Sequence, residues 1–227
     1  MKRAMNQRPT VVVWDLPTRV FHWTLAGLVA LQYASGEFGW LAMEWHYRLG
    51  YATLALIVFR ALWGFAGSAT SRFAAFVRGP RAAARYVADA LHGRAGRVAG
   101  HNPIGGWSVL LMLASVALQA VSGLFSSDDI SEDGPLVARV SDATVHMMTR
   151  IHHLNRYALA ILIVLHIGAV LLHRVLRDDD LVAPMLHGRA QLDPAQAPRL
   201  VSPWRALVLL AVGSALVWGL VTWGAAG

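Results

Sequence analysis

Five stretches of the chain are apolar over lengths that suit a lipid bilayer, and short polar segments separate them. They run at about Val20–Tyr33, His46–Gly67, Ile104–Phe125, Ile151–Leu176 and Trp204–Trp223. A crossing helix needs about 20 mostly apolar residues. The first run is the shortest, yet Leu16 to Trp40 is interrupted only by Arg19 and Glu37, near its edges. The pattern therefore predicts an all-α integral membrane protein with five transmembrane helices. The first is not read as a cleaved signal peptide, because no small-residue cleavage site follows it. Trp14, Trp23, Trp40, Trp45, Trp63, Trp107 and Trp204 gather near span ends, as an interfacial aromatic belt does.

Composition agrees with that class. The 227 residues are 56% hydrophobic and 15% charged, too apolar for a soluble domain. With no cysteine in the chain, iron–sulfur clusters, disulfides and haem attached through Cys-x-x-Cys-His are excluded within it. A net charge of +7 would suggest nucleic acid in a soluble protein. In a membrane protein the same excess belongs to cytoplasmic loops, and no nucleic-acid partner is read from it. No nucleotide-binding loop or metal-hydrolase motif is present.

The charges alternate along the chain and so predict an orientation. Lys2, Arg3, Arg8 and Arg19 precede the first helix, and Arg72, Arg78, Arg81, Arg85, Arg94 and Arg97 fill the second loop. Arg174, Arg177, Arg189, Arg199 and Arg205 surround the segment after the fourth helix. The first loop instead holds Glu37 and Glu44, and the third holds Asp128, Asp129, Glu132, Asp133 and Asp142. The positive-inside rule then puts the N-terminus in the cytoplasm and the C-terminus in the periplasm. The 72–100 loop, with Phe73, Phe76, Val77, Tyr86, Val87 and Leu91 among its arginines, reads as an amphipathic helix along the inner surface. Residues 190–203 read as a Pro-rich linker before the last helix, 204–227.

Histidines carry the chemistry. Ionisable groups inside spans are rare and usually functional. Fourteen residues separate His152 from His166. That is roughly 21 Å along a helix axis, with the rings about 40° from the same face. His22 and His46 open two other helices. Depth pairs His22 with His166 on the inside and His46 with His152 on the outside. Four inward histidines at two depths fit two bis-histidine haems, whose iron takes one axial imidazole on each face and keeps no open position for substrate. His153, beside His152, points about 100° away, and only the fourteen-residue spacing favours His152. Arg60, fourteen residues after His46, and Arg156, one turn after His152, are the expected propionate cations. Gly27, Gly50, Gly123 and Gly168 could admit a porphyrin or a close helix neighbour. His101 and His146 sit at loop–membrane edges and read as interfacial, while His92 and His187 read as loop residues and His173 as lying too near its helix end.

Several motifs resemble those of a known family. W-D-L-P-T-R-V-F-H-W (Trp14–Trp23), H-Y-R-L-G-Y (His46–Tyr51), R-A-L-W-G-F-A-G (Arg60–Gly67) and G-H-N-P-I-G-G-W (Gly100–Trp107) occur in order, followed by the H-x13-H pair. They resemble bacterial cytochrome b561-type proteins, and more closely the b-type cytochrome subunits of nickel–iron hydrogenases. D-D-I-S-E-D-G-P (Asp128–Pro135) and V-A-P-M-L-H-G-R (Val182–Arg189) are similar to the hydrogenase-associated branch. The resemblance implies a four-helix haem-binding bundle in residues 1–189, set in the bacterial inner membrane, with the fifth helix outside it. It implies two non-covalent b haems on His22, His46, His152 and His166. It also implies a respiratory-chain electron-transfer subunit working between the quinone pool and an external hydrogenase or cytochrome c. Two other classes stay open at this point: a stand-alone oxidoreductase acting on quinone or superoxide at a haem edge, and a haem-free anchor.

Overall fold

The computed structural model describes residues 9–226 except 95, 97, 131 and 178. Lys2, Arg3, Arg8 and Arg97, and the side chain of Arg177, lie outside the described residues. The chain forms β1 (Thr10–Val12), α1 (Leu16–Phe38), α2 (Met43–Ala66), α3 (Phe73–Phe76), α4 (Pro80–Leu91), α5 (Pro103–Gly123), α6 (Asp142–Arg177), α7 (Val182–His187), β2 (Arg189–Gln191) and α8 (Pro203–Ala225).

Local chemistry starts the helices where the motifs stand. In W-D-L-P-T, Asp15 caps α1 by accepting from the Thr18 amide at 2.7 Å, with Pro17 in the first turn, where its missing N–H costs nothing. In H-N-P-I-G, Asn102 caps α5 by accepting from the Gly105 amide at 2.8 Å. Thr18 also accepts from the Trp63 indole at 3.2 Å and bonds Ser71 at 2.6 Å, tying the start of α1 to the end of α2.

Helices α2, α5, α6 and α8 are long and apolar enough to cross a membrane. Their outward faces carry large apolar side chains, among them Val164 at 68% and Trp218 at 72% exposure, which water would not tolerate in such number. Helix α1 has 23 residues but is more polar, because His22, Thr24, Gln32 and Ser35 interrupt it, and it is not among those four. Helix α6 begins at Asp142, nine residues before the apolar run, so its 36 residues span about 54 Å and overreach any bilayer.

Helix α2 is the centre of the bundle and packs against α1, α5 and α8, while α5 packs against α6. Ile57, Val116 and Leu159 form the mid-bundle core with Leu25, Leu113 and Ile163 around them. Helix α8 approaches α2 closely at Gly213, where a Cβ would stand 3.2 Å from the Ala55 carbonyl oxygen. Helices α1 and α6 share no comparable packing along their lengths. They are joined at their ends instead. At one end β1 pairs antiparallel with β2, the Arg19 guanidinium donates to the Leu186 carbonyl at 2.5 Å, and the Trp23 indole donates to the Met185 carbonyl at 3.2 Å. Gly188 receives the Val13 amide on its carbonyl, and its φ of +83° with a Cβ position 2.8 Å from the Trp14 oxygen admits only glycine. At the other end the Tyr33 hydroxyl donates to the Arg156 carbonyl, and Arg156 pairs with Glu37 at 2.5 Å.

Two segments differ from the sequence pattern. The 72–100 stretch is not one surface helix: Val77–Gly79 break it into α3 and α4, and Phe76 is buried beneath the bundle end. Residues 190–203 contain part of β2, and Leu192 is buried against Val13 and Trp14. A single apolar side chain under a short sheet is enough to dock such a segment, and periodicity cannot register it.

Candidate functional site

Two pairs of histidines face each other across the bundle. The His22 and His166 ring centroids are 6.3 Å apart, at the end carrying β1 and β2. The His46 and His152 centroids are 6.4 Å apart, at the end carrying the acidic 128–142 loop. His153 is exposed, its ring 6.2 Å from that of His152. Two imidazoles bound to opposite sides of one metal, each through a bond of about 2 Å, place their ring centroids roughly 6 Å apart.

The pair at the acidic-loop end is held by matching hardware on two helices. Ser35 Oγ lies 2.8 Å from His46 Nδ1 and donates to the Gln32 carbonyl at 3.0 Å, so its oxygen is left to accept the imidazole N–H. Ser122 Oγ lies 3.2 Å from His152 Nδ1 and donates to the Gln119 carbonyl at 3.1 Å. The Gln119 carbonyl also stands 2.9 Å from His152 Nδ1, and a carbonyl can only accept. The proton therefore sits on Nδ1, which leaves the Nε2 lone pair for a metal. Beside each serine is a glycine. A Cβ on Gly36 would meet His46 Cε1 at 3.1 Å, and one on Gly123 would meet His152 Cε1 at 3.0 Å. A ladder of Ser115, Asn155 and Gln119 ties α5 to α6 one turn away, with Asn155 donating to the Ser115 carbonyl at 2.9 Å and to Gln119 Oε1 at 2.8 Å.

At the sheet end the polar groups are less satisfied. His22 Nδ1 and Arg60 Nη1 are buried with no hydrogen-bond partner. Arg60 is 3% exposed, its guanidinium lies over the rings of Phe73 and Phe76 at 5.1 and 5.9 Å, and no carboxylate of a described residue is within ion-pair distance. It lines a cavity of about 250 Å³ whose other walls are apolar, including Ile57, Leu110, Leu113 and Ala117. Apolar walls with one cation at the edge suit a flat apolar ring bearing an acid. Arg156, by contrast, is already paired with Glu37 and stacked on Tyr157 at 4.7 Å, and only its Nε is unpartnered.

A comparison with protein families matches residues 13–188 to the prokaryotic cytochrome b561 family, whose own label refers to nickel-hydrogenase cytochrome b. The chain belongs to the prokaryotic cytochrome b561 family. Comparison with curated proteins and with solved structures gave no match. Cytochromes b561 are membrane b-type cytochromes of electron transfer and bind haem b, so this chain is a multi-pass bacterial membrane protein of that kind. The matched region holds all four paired histidines and ends at Gly188, before α8.

Sequence reasoning passed over Ser35, Gly36, Ser122, Gln119 and Asn155. A signal existed for three of these positions together with Gly123: S-G-x-F occurs at Ser35–Phe38 and again at Ser122–Phe125, each at one end of its helix. Of the glycines singled out from sequence, Gly123 lies against a histidine, Gly50 lies 3.5 Å from Gln32, and Gly27 and Gly168 face open space. His101, read as interfacial, is instead wedged between Trp14 and Phe76.

Proposed function

We propose that this cytochrome holds two non-covalent b haems, one between His22 and His166 and one between His46 and His152. It would carry electrons through the inner membrane between the quinone pool and an external redox partner, a hydrogenase or a cytochrome c. The observation that carries the reading is the pair of ring separations, 6.3 and 6.4 Å, each suited to one metal between two imidazoles. Each haem would supply one-electron iron chemistry, held by His22 and His166 at one site and by His46 and His152 at the other.

The chain's own part is positioning and charge. Ser35, Ser122 and the Gln119 carbonyl hold Nδ1–H of His46 and His152, aiming Nε2 inward and raising ligand basicity. Arg60, with an unpartnered Nη1, supports a propionate of the His22/His166 haem, and the free Nε of Arg156 does so less fully at the other. Fourteen residues of α6 keep the two sites roughly 21 Å apart along the helix. The charge pattern supports a cytoplasmic N-terminus, α1 as a fifth span and a periplasmic C-terminus. Residues 1–189 then form the haem domain, with 190–203 joining it to the last helix.

Haem analysis with histidine variants tests this. The purified protein should release two non-covalent b haems per chain by pyridine haemochrome. His22→Ala and His166→Ala should each remove the same haem, and His46→Ala and His152→Ala the other, while His153→Ala keeps both. One haem per chain, or loss of a haem in His153→Ala with both kept in His152→Ala, would overturn the assignment.

A further inference from the structure

A second unsatisfied donor stands beside Arg60. His101 is the residue before the α5 cap, set by Gly100 in a left-handed turn (φ +93°) whose Cβ position is 3.3 Å from Thr70. Its ring is wedged between Trp14, 4.9 Å away at 64°, and Phe76, 4.8 Å away at 57°. Its Nδ1 is buried and has no hydrogen-bond partner. The Phe76 ring that holds His101 also lies under the Arg60 guanidinium, at 5.9 Å. One phenylalanine thus gathers a buried cation and a half-buried imidazole, each with a buried polar atom left over. Burial first, and then the charge of Arg60, hold the His101 pKa at about 3. At neutral pH the ring is uncharged and has one N–H to donate.

Two buried donors without acceptors are costly, and the charged one more so than the neutral one. The acid whose field reaches Arg60 is Asp15. Its carboxylate is already spent on the Thr18 amide at 2.7 Å and the Ser71 hydroxyl at 3.4 Å. Among the described residues neither group has an acceptor, and one carboxylate could serve both.

We propose that His101 and Arg60 form a two-donor clamp for one propionate of the haem held by His22 and His166, with His101 donating from Nδ1. This rests on the haem assignment above and adds to it a residue on a different segment of the chain. The neutral donor bonds the carboxylate while the guanidinium balances its charge, so the acid stays ionised inside the bundle. Both groups lower the negative potential that a bare propionate would impose on the iron.

The test is redox titration of the full-length, haem-loaded protein in three variants. His101→Phe keeps the aromatic sandwich and removes the donor, His101→Asn restores a donor near the Nδ1 position, and Arg60→Gln removes the charge. His101→Phe should lower the midpoint potential of the haem that disappears in His22→Ala and leave the other unchanged. Arg60→Gln should move the same haem the same way, and His101→Asn should return it towards the parent. Resonance Raman on the parent gives an independent reading, with one propionate bending band expected at the position of a strongly hydrogen-bonded carboxylate. Two haems in His101→Phe with unchanged potentials would overturn the clamp and leave the haem assignment standing. If that variant takes up no haem, parent propionate bands all at the unbonded position would overturn it equally. A parent without two haems would sink the assignment itself.

Discussion

Replacing Gly123 by alanine should weaken the hold on the haem proposed between His46 and His152. The new Cβ would stand 3.0 Å from His152 Cε1 and 3.2 Å from its Nδ1, where ordinary contacts begin at 3.4 Å. The imidazole would have to retreat by about 0.4 Å. It is pinned, because its Nδ1 is bonded at 2.9 Å to the Gln119 carbonyl and lies 3.2 Å from Ser122 Oγ, both on α5 itself. A ligand constellation tolerates about 0.5 Å of displacement before function suffers, so the shift consumes most of that margin. Overpacking of this kind costs about 1–3 kcal/mol. If it falls wholly on the bound state, the haem is held roughly 5–150 times more weakly. Reconstitution of haem-depleted protein with limiting haem, followed by redox titration of the α-bands, measures this site against the other within one molecule. Gly168→Ala is the control, since nothing stands within 4 Å of its Cβ position. Gly123→Ala filling both sites as the parent does, or Gly168→Ala losing the same haem, would refute the reasoning.

Three further outcomes follow from the same contacts. Ser35→Ala and Ser122→Ala each remove an acceptor from an axial imidazole and so reduce its basicity. Both should raise the midpoint potential of the His46/His152 haem, Ser122→Ala by less because the Gln119 carbonyl remains; a titration with no shift in either would deny the serines that role. Arg156→Gln breaks the ion pair to Glu37, whose side chains are 28% and 33% exposed, so solvent screening limits the stability loss to about 1 kcal/mol or less; a thermal melt followed at the α-band should show a drop of only a few degrees. Neutralising Asp128, Asp129, Glu132 and Asp133 to Asn or Gln should slow exchange between that haem and its external partner at low salt and little at high salt, since steering is screened over about 8 Å at physiological ionic strength. Asp128→Asn keeps the oxygen that accepts from the Ile130 and Glu132 amides at 2.9 Å, so equal stopped-flow rates at low salt would leave the acids with no docking role.

Much of this protein was legible in its residues alone, because a bilayer imposes one-dimensional rules. Four of the five apolar runs are helices long and apolar enough to cross, since a backbone in lipid must bond within itself. Helical geometry placed His152 and His166 near one face, and the alternation of charge gave each histidine an expected depth. The capping motifs at Asp15 and Asn102 set where α1 and α5 begin. The first run was read as a fifth span; it is a helix, but it is not among those four, because His22, Thr24, Gln32 and Ser35 dilute its apolar character.

Tertiary structure decided what depends on partners distant in sequence. The two S-G-x-F repeats are unremarkable polar dipeptides until α1 and α5 bring Ser35 beside His46 and Ser122 beside His152. Arg156 lies one turn from His152, as its spacing required, yet its guanidinium is drawn to Glu37 on a helix 119 residues earlier. His101 lies next to a helix cap, the usual address of a solvated group, and only the folding of Trp14 and Phe76 around it takes its Nδ1 out of water. Span length and face are properties of one helix and can be counted along the chain. Whether a buried donor has an acceptor is a property of several helices together, and no count along the chain contains it.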